Sequence, residues 1–266
     1  MHKLLLLLSG LLLFSCATNP YKASEKNYNK QLKVLQKSLS KKDTIGLGNG
    51  KKTQWVSTIN FNMRKPNYII IHHSAQDSLK QTLKTFTLEK TQVSAHYVIA
   101  DDGKVVQMLN DYLRAWHAGN ATWGKTTDMN SASIGIELDN NGFEPFSKEQ
   151  IDSLLQLLAR LKKLYNIPTQ NIIGHLDIAP SRKSDPSELF PWKKLAENGF
   201  GLYPDEILQE APTTFNVEQG LRIIGYSTKN LPDAIKSFKR HYIPLEVNDV
   251  LDAKTINTIY SLYLKI

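Results

Sequence analysis

Three short apolar runs, each leading into a side chain able to hold a metal or move a proton, constrain the fold more than any other feature. Tyr68-Ile69-Ile70-Ile71-His72-His73 is the first, Ser133-Ile134-Gly135-Ile136-Glu137-Leu138 the second and Asn171-Ile172-Ile173-Gly174-His175 the third. Short apolar runs of this kind read as buried strands. His72 ends the first, Glu137 lies near the end of the second, and His175 ends the last. His96-Tyr97-Val98-Ile99-Ala100 is a further strand, and Asp101-Asp102-Gly103-Lys104 a hairpin turn that returns through 105–109. Residues 78–90 read as a helix. Residues 147–165 read as a longer one, with Ile151, Leu154, Leu155, Leu158, Leu161 and Leu164 on one face and a Ser147/Gln150 capping box. Strands interleaved with helices imply an α/β fold: a mixed central sheet flanked by helices.

Asp185 follows His175 across a loop stiffened by Pro180 and Pro186. Two imidazoles and a carboxylate are enough to hold Zn²⁺ and leave a fourth position for water. A histidine at a strand end also serves as a hydrogen-bonded structural residue, and spacing alone does not separate the two roles. His72 and His73 face opposite sides of their strand, so only one of them can reach a metal.

The first sixteen residues read M-H-K-L-L-L-L-L-S-G-L-L-L-F-S-C. A basic start precedes an apolar run shorter than the roughly 20 residues that a membrane span needs. The stretch resembles a bacterial lipoprotein signal, with residues 1–15 removed and Cys16 lipidated. Cys16 is the only cysteine, so no intramolecular disulfide and no sulfur-rich metal site is expected. Ala17 is not the aspartate that often retains such proteins at the inner membrane, which makes the outer membrane the expected location. The net charge of +8 favours polyanionic partners. The export signal narrows these to the anionic polymers and lipids of the cell envelope, and no nucleic-acid partner is expected. Residues 16–54, rich in Lys, Asn and Ser and closing on Gly46, Gly48 and Gly50, read as a solvated tether with one amphipathic helix near 29–40. Pro204 and Pro212 mark a break between a catalytic domain over 55–204 and a helical domain over 212–266. The latter's helices, near 217–224, 231–242 and 253–264, either bind glycan or brace the catalytic domain. A monomer is expected.

Five ordered motifs are more specific than any of these readings alone. They are Ile70-Ile71-His72-His73-Ser74-Ala75, Val93-Ser94-Ala95-His96-Tyr97, Trp116-His117-Ala118-Gly119, Ser133-Ile134-Gly135-Ile136-Glu137 and Gly174-His175-Leu176-Asp177-Ile178-Ala179-Pro180-Ser181-Arg182-Lys183-Ser184-Asp185-Pro186. Together they resemble the zinc-dependent N-acetylmuramoyl-L-alanine amidases of the type 2 amidase family, related to phage T7 lysozyme and animal peptidoglycan recognition proteins. With its N-terminal signal and C-terminal extension, the chain looks most like the outer-membrane lipoprotein group of enteric bacteria. The resemblance implies a hydrolase that cleaves the bond between N-acetylmuramic acid and L-alanine in peptidoglycan or muropeptides. It implies His72, His175 and Asp185 as zinc ligands, Glu137 as general base and Lys183 beside the developing oxyanion. It places His96, Trp116, His117 and Arg182 along the substrate groove. Trp123 is a further face for stacking or for the core, and Asp177 either orients His175 or caps the loop. Some relatives carry a tyrosine just before the histidine matching His96, and this chain carries Ala95 there. The alternatives are a recognition module without catalysis and a different zinc amide hydrolase.

Overall fold

The structure is a computed structural model that describes residues 19–41, 52–60, 62–63 and 65–266. It divides the chain into two units, Met1–Ile59 and Asn60–Ile266. The expected signal segment, Cys16 and the glycines at 46, 48 and 50 lie outside the described residues. In the first unit the expected amphipathic helix is α1 (Lys22–Leu39), which starts earlier than its apolar spacing predicts and buries no residue. No helix among the described residues is long and apolar enough to cross a membrane.

The second unit is built on five strands: β1 (Tyr68–His73), β2 (Tyr97–Ile99), β3 (Val105–Gln107), β4 (Ser133–Leu138) and β5 (Ile172–Gly174). Its helices are α2 (Leu79–Thr87), α3 (Met129–Ala132), α4 (Lys148–Tyr165), α5 (His175–Ile178), α6 (Trp192–Glu197), α7 (Val217–Ile224), α8 (Leu231–Tyr242) and α9 (Ala253–Tyr263). The strand order is β3-β2-β4-β1-β5. β2, β4, β1 and β5 run parallel, and β3 pairs antiparallel with β2. This is the mixed sheet flanked by helices that the sequence implies.

Parallel strands covered on both faces are apolar throughout, and their side chains still alternate between the faces. Ile69 and Ile71 of β1 join Ile134, Ile136 and Leu138 of β4 in a core under α4 and α6. Ile70 and Ile173 point the other way, into a core completed by Leu221, Phe238 and Ile259 of the C-terminal helices. Those helices thus pack directly on the sheet, across the loop near 204–214. His72 and Glu137 lie in register across β1 and β4. Both follow the parity of Ile70, so both project on the side of the C-terminal helices.

Several local expectations changed. Ser147 caps α4 by accepting from Gln150 N–H at 3.0 Å, but the Gln150 side chain does not return to Ser147. It is buried and donates to Ile99 O at 2.9 Å and Asp139 O at 3.2 Å, so sheet carbonyls outcompete the capping box. Leu164 is exposed, and Leu157 and Tyr165 take its place in the buried face. The third apolar run stops as a strand at Gly174, and His175 opens the single turn α5.

Candidate active site

The strand ends bring three ligand atoms together. His72 Nδ1 lies 3.0 Å from His175 Nδ1 and 3.1 Å from Asp185 Oδ2, and His175 Nδ1 lies 3.0 Å from the same oxygen. All three residues are buried. Atoms bound tetrahedrally about 2.0–2.2 Å from zinc stand roughly 3.3 Å apart, close to this triangle.

The outer nitrogens of the two rings explain why the inner ones converge. His175 Nε2 lies 3.0 Å from Ala118 O, which only accepts, so Nε2 carries the proton and Nδ1 keeps its lone pair. His72 Nε2 lies 3.0 Å from His117 Nδ1. His117 Nε2 lies 3.2 Å from Ser133 Oγ, which donates to Met129 O. Assigned from these partners, each group along the line donates to the next, and His72 Nδ1 is also bare. Two bare imidazole nitrogens and a carboxylate oxygen then face one another with no proton between them. A cation satisfies that donor set, and two imidazoles with one carboxylate suit zinc. The residues fit the metal that the resemblance implies.

The electrostatics agree. Burial lowers the His72 pKa to about 4, with the neighbouring His175 ring acting in the same direction. Burial and the surrounding rings of His72, His96 and His175 hold His117 well below the usual histidine range. The Asp185 carboxyl is held well below the usual carboxylate range: its burial acts to raise it, and the adjoining His175 and His72 outweigh that effect. Glu137 Oε1 lies 4.0 Å from His72 Nδ1. Burial, and then the charge of Asp185, push its pKa up to about 8, with Lys183 opposing.

His72, Glu137, His175, Lys183 and Asp185 line a cavity of about 420 Å³, together with Trp116, His117 and Arg182. Trp116 is 48% exposed and offers a face to this cavity. The other expected groove residues divide: His117 and Arg182 line the cavity. His96 does not reach the cavity. It is buried, accepts from Gly135 N–H at 3.0 Å and meets Leu113 O at 2.9 Å, so both ring nitrogens are held by backbone. His117 touches the cavity but chiefly supports His72. Gly135 makes this possible, since a Cβ there would sit 2.4 Å from the His117 ring. Arg182 lines the cavity, but its Nη2 donates to Ala118 O at 2.6 Å and Asn120 O at 3.1 Å, tying the Trp116–Gly119 segment to the ligand loop. Trp123 is core, packed on Tyr226 at 5.0 Å. His73 faces away from His72 and accepts from Ser187 N–H at 3.1 Å. Sequence reasoning missed Gln76, Thr85 and Phe86, which form the far wall of the cavity. They sit in a loop and the last turn of α2, where no motif marks them.

Over residues 62–188 the chain matches the family model described as N-acetylmuramoyl-L-alanine amidase. It is 35% identical over 221 residues to the N-acetylmuramoyl-L-alanine amidase AmiD of Escherichia coli (strain K12), covering 70% of this chain and 78% of that protein. The chain belongs to the N-acetylmuramoyl-L-alanine amidase family. The solved complex of the E. coli AmiD with the substrate anhydro-N-acetylmuramic acid-L-Ala-D-gamma-Glu-L-Lys superposes with a TM-score of 0.69 at 30% identity, over 85% of this chain and 98% of that one. AmpDh3 of Pseudomonas aeruginosa superposes with a TM-score of 0.70 at 25% identity, over 84% of this chain and 98% of its own. The family match contains all five strands and the whole ligand triangle.

Two outcomes follow. Glu137 holds its proton more tightly folded than unfolded, so it stabilises the metal-free protein fully below about pH 4.5, and this is lost as pH rises through about 8. Metal-free Glu137→Gln should therefore melt above wild type near pH 9 and level with it near pH 4 by scanning calorimetry. His117→Ala removes the partner of His72 Nε2 and should weaken zinc binding by about 10–100-fold in a chelator competition titration.

Proposed function

We propose that this chain is a zinc amidase that hydrolyses the bond between the lactyl group of N-acetylmuramic acid and L-alanine, releasing the stem peptide from peptidoglycan or its fragments. The observation that carries the reading is the triangle of three unprotonated ligand atoms with Glu137 beside it, at the floor of an open cavity. Membership of the amidase family supplies the bond. The muropeptide in the AmiD complex supplies the substrate class.

His72, His175 and Asp185 would hold the metal. Zinc supplies a Lewis acid that polarises the scissile carbonyl and makes water acidic enough to attack near neutral pH. Glu137, whose raised pKa belongs to the metal-free site and falls beside a bound cation, takes the proton from the attacking water and delivers it to the leaving amine nitrogen. The Lys183 ammonium, on the cavity wall, stabilises the charge that develops on the carbonyl oxygen. Trp116 offers an aromatic face to the sugar or the peptide.

The reading extends to location. Lipid on Cys16 would anchor the chain to the outer membrane, with residues 17–54 as the tether that lets the domain reach the wall. The N-terminal signal pattern and the lone cysteine support it.

Mass spectrometry of muropeptides incubated with the zinc-loaded protein should show free stem peptide. Glu137→Gln should cut the rate by about 10²–10⁴-fold, and a chelator should abolish it. Intact muropeptide from zinc-loaded wild type would refute the amidase reading. In cells, Cys16→Ser should move the protein from the membrane fraction to the soluble one; an unchanged membrane fraction would refute the anchor.

A further inference from the structure

His175 sits on α5, a helix of four residues that has no stability of its own at that length. External partners hold it. Leu176 N–H donates to Asp185 O at 2.7 Å, which joins the two ligand segments. Thr122 N–H donates to Ile178 O at 2.9 Å. Ser237, His241 and Tyr226 add partners from beyond residue 225. Ser237 of α8 donates to Leu176 O at 2.7 Å. Asp177, fully buried, accepts from Gly174 N–H at 2.7 Å, from His241 Nδ1 of α8 at 2.9 Å, and from the Tyr226 hydroxyl.

His241 is itself immobilised. Its ring is stacked between Trp192, with centroids 3.8 Å apart, and Tyr242, at 3.9 Å. Trp192 also abuts Gly174, where a Cβ would lie 3.0 Å from the indole. The imidazole is 2% exposed, so bulk water cannot replace it if it is lost. Aligning a ligand through a buried neighbour of this kind is how outer contacts tune a metal site.

We propose that α8 is a positioning element of the metal centre, and that His241 and Ser237, acting through Asp177 and Leu176, hold the turn that presents His175 and its link to Asp185. This rests on the reading of His72, His175 and Asp185 as metal ligands. The C-terminal helices on this account brace the ligand turn, whatever else they bind.

The test is zinc affinity of the full-length folded protein, measured by chelator competition well below its melting temperature. His241→Leu keeps the volume and loses the donor, and should weaken binding by at least about tenfold. His241→Asn places an amide N–H where Nδ1 stands, and should recover affinity to within a few fold. Ile259→Val, a core change on α9 facing Gly220 of α7, should lower the melting temperature and leave affinity unchanged. Ser237→Ala is the milder variant should His241→Leu fail to fold, and should weaken zinc binding several-fold. Wild-type affinity in folded His241→Leu, or in Ser237→Ala if that must stand in, would overturn the proposal, as would an equal loss in Ile259→Val. Wild-type protein that takes up no zinc would overturn the metal reading itself, and this proposal with it.

Discussion

The parallel pairing of β1 with β4 is the constraint on which the rest of the molecule depends. It sets His72 opposite Glu137, so a ligand and a proton acceptor leave adjacent strands at the same level and on the same face. The pairing of β1 with β5 then brings Gly174, and the turn after it, beside Ile71. A shift of one residue in either register would send His72 into the α4 core and put His73 in its place. The isoleucines that alternate into both cores resist such a shift, since it would exchange every buried side chain.

The site built on that register is a cluster of groups that repel or ignore one another when no cation is present. Its order comes from outside. The Trp116–Gly119 segment serves both histidines, through the His117 ring for His72 and the Ala118 carbonyl for His175. Asn130 in turn accepts from the backbone N–H groups of His117 and Ala118, at 3.0 Å and 2.8 Å. A motif that looked like a groove wall in the sequence is mainly the support for the ligands.

The strands were legible because apolar runs and turn chemistry are local signals, and β1 and β4 match their expected limits. The C-terminal helices were legible from their spacing. What failed was direction. Gln150 sits where a capping box wants it, but the chain could not announce that two sheet carbonyls would lie nearer. His96 and His117 belong to similar motifs, and only tertiary packing decides that one is sealed by backbone while the other touches a ligand. Asp177 was open between a role orienting His175 and a role in the turn. Its partners at Tyr226 and His241 come from a part of the chain that no local pattern connects to it.

The second face of the sheet, where Ile70 and Ile173 project, is covered by residues between 217 and 262. A growing chain emerges from its N-terminal end. All three ligand residues exist once Asp185 has been made, but the apolar face behind them stays open until the final helices arrive. The order of synthesis thus separates having the ligands from having the site. Between the completion of β5 at Gly174 and the arrival of α9, the nascent chain carries a sheet with one side only partly covered, and the helices that brace the ligand turn are among its last parts.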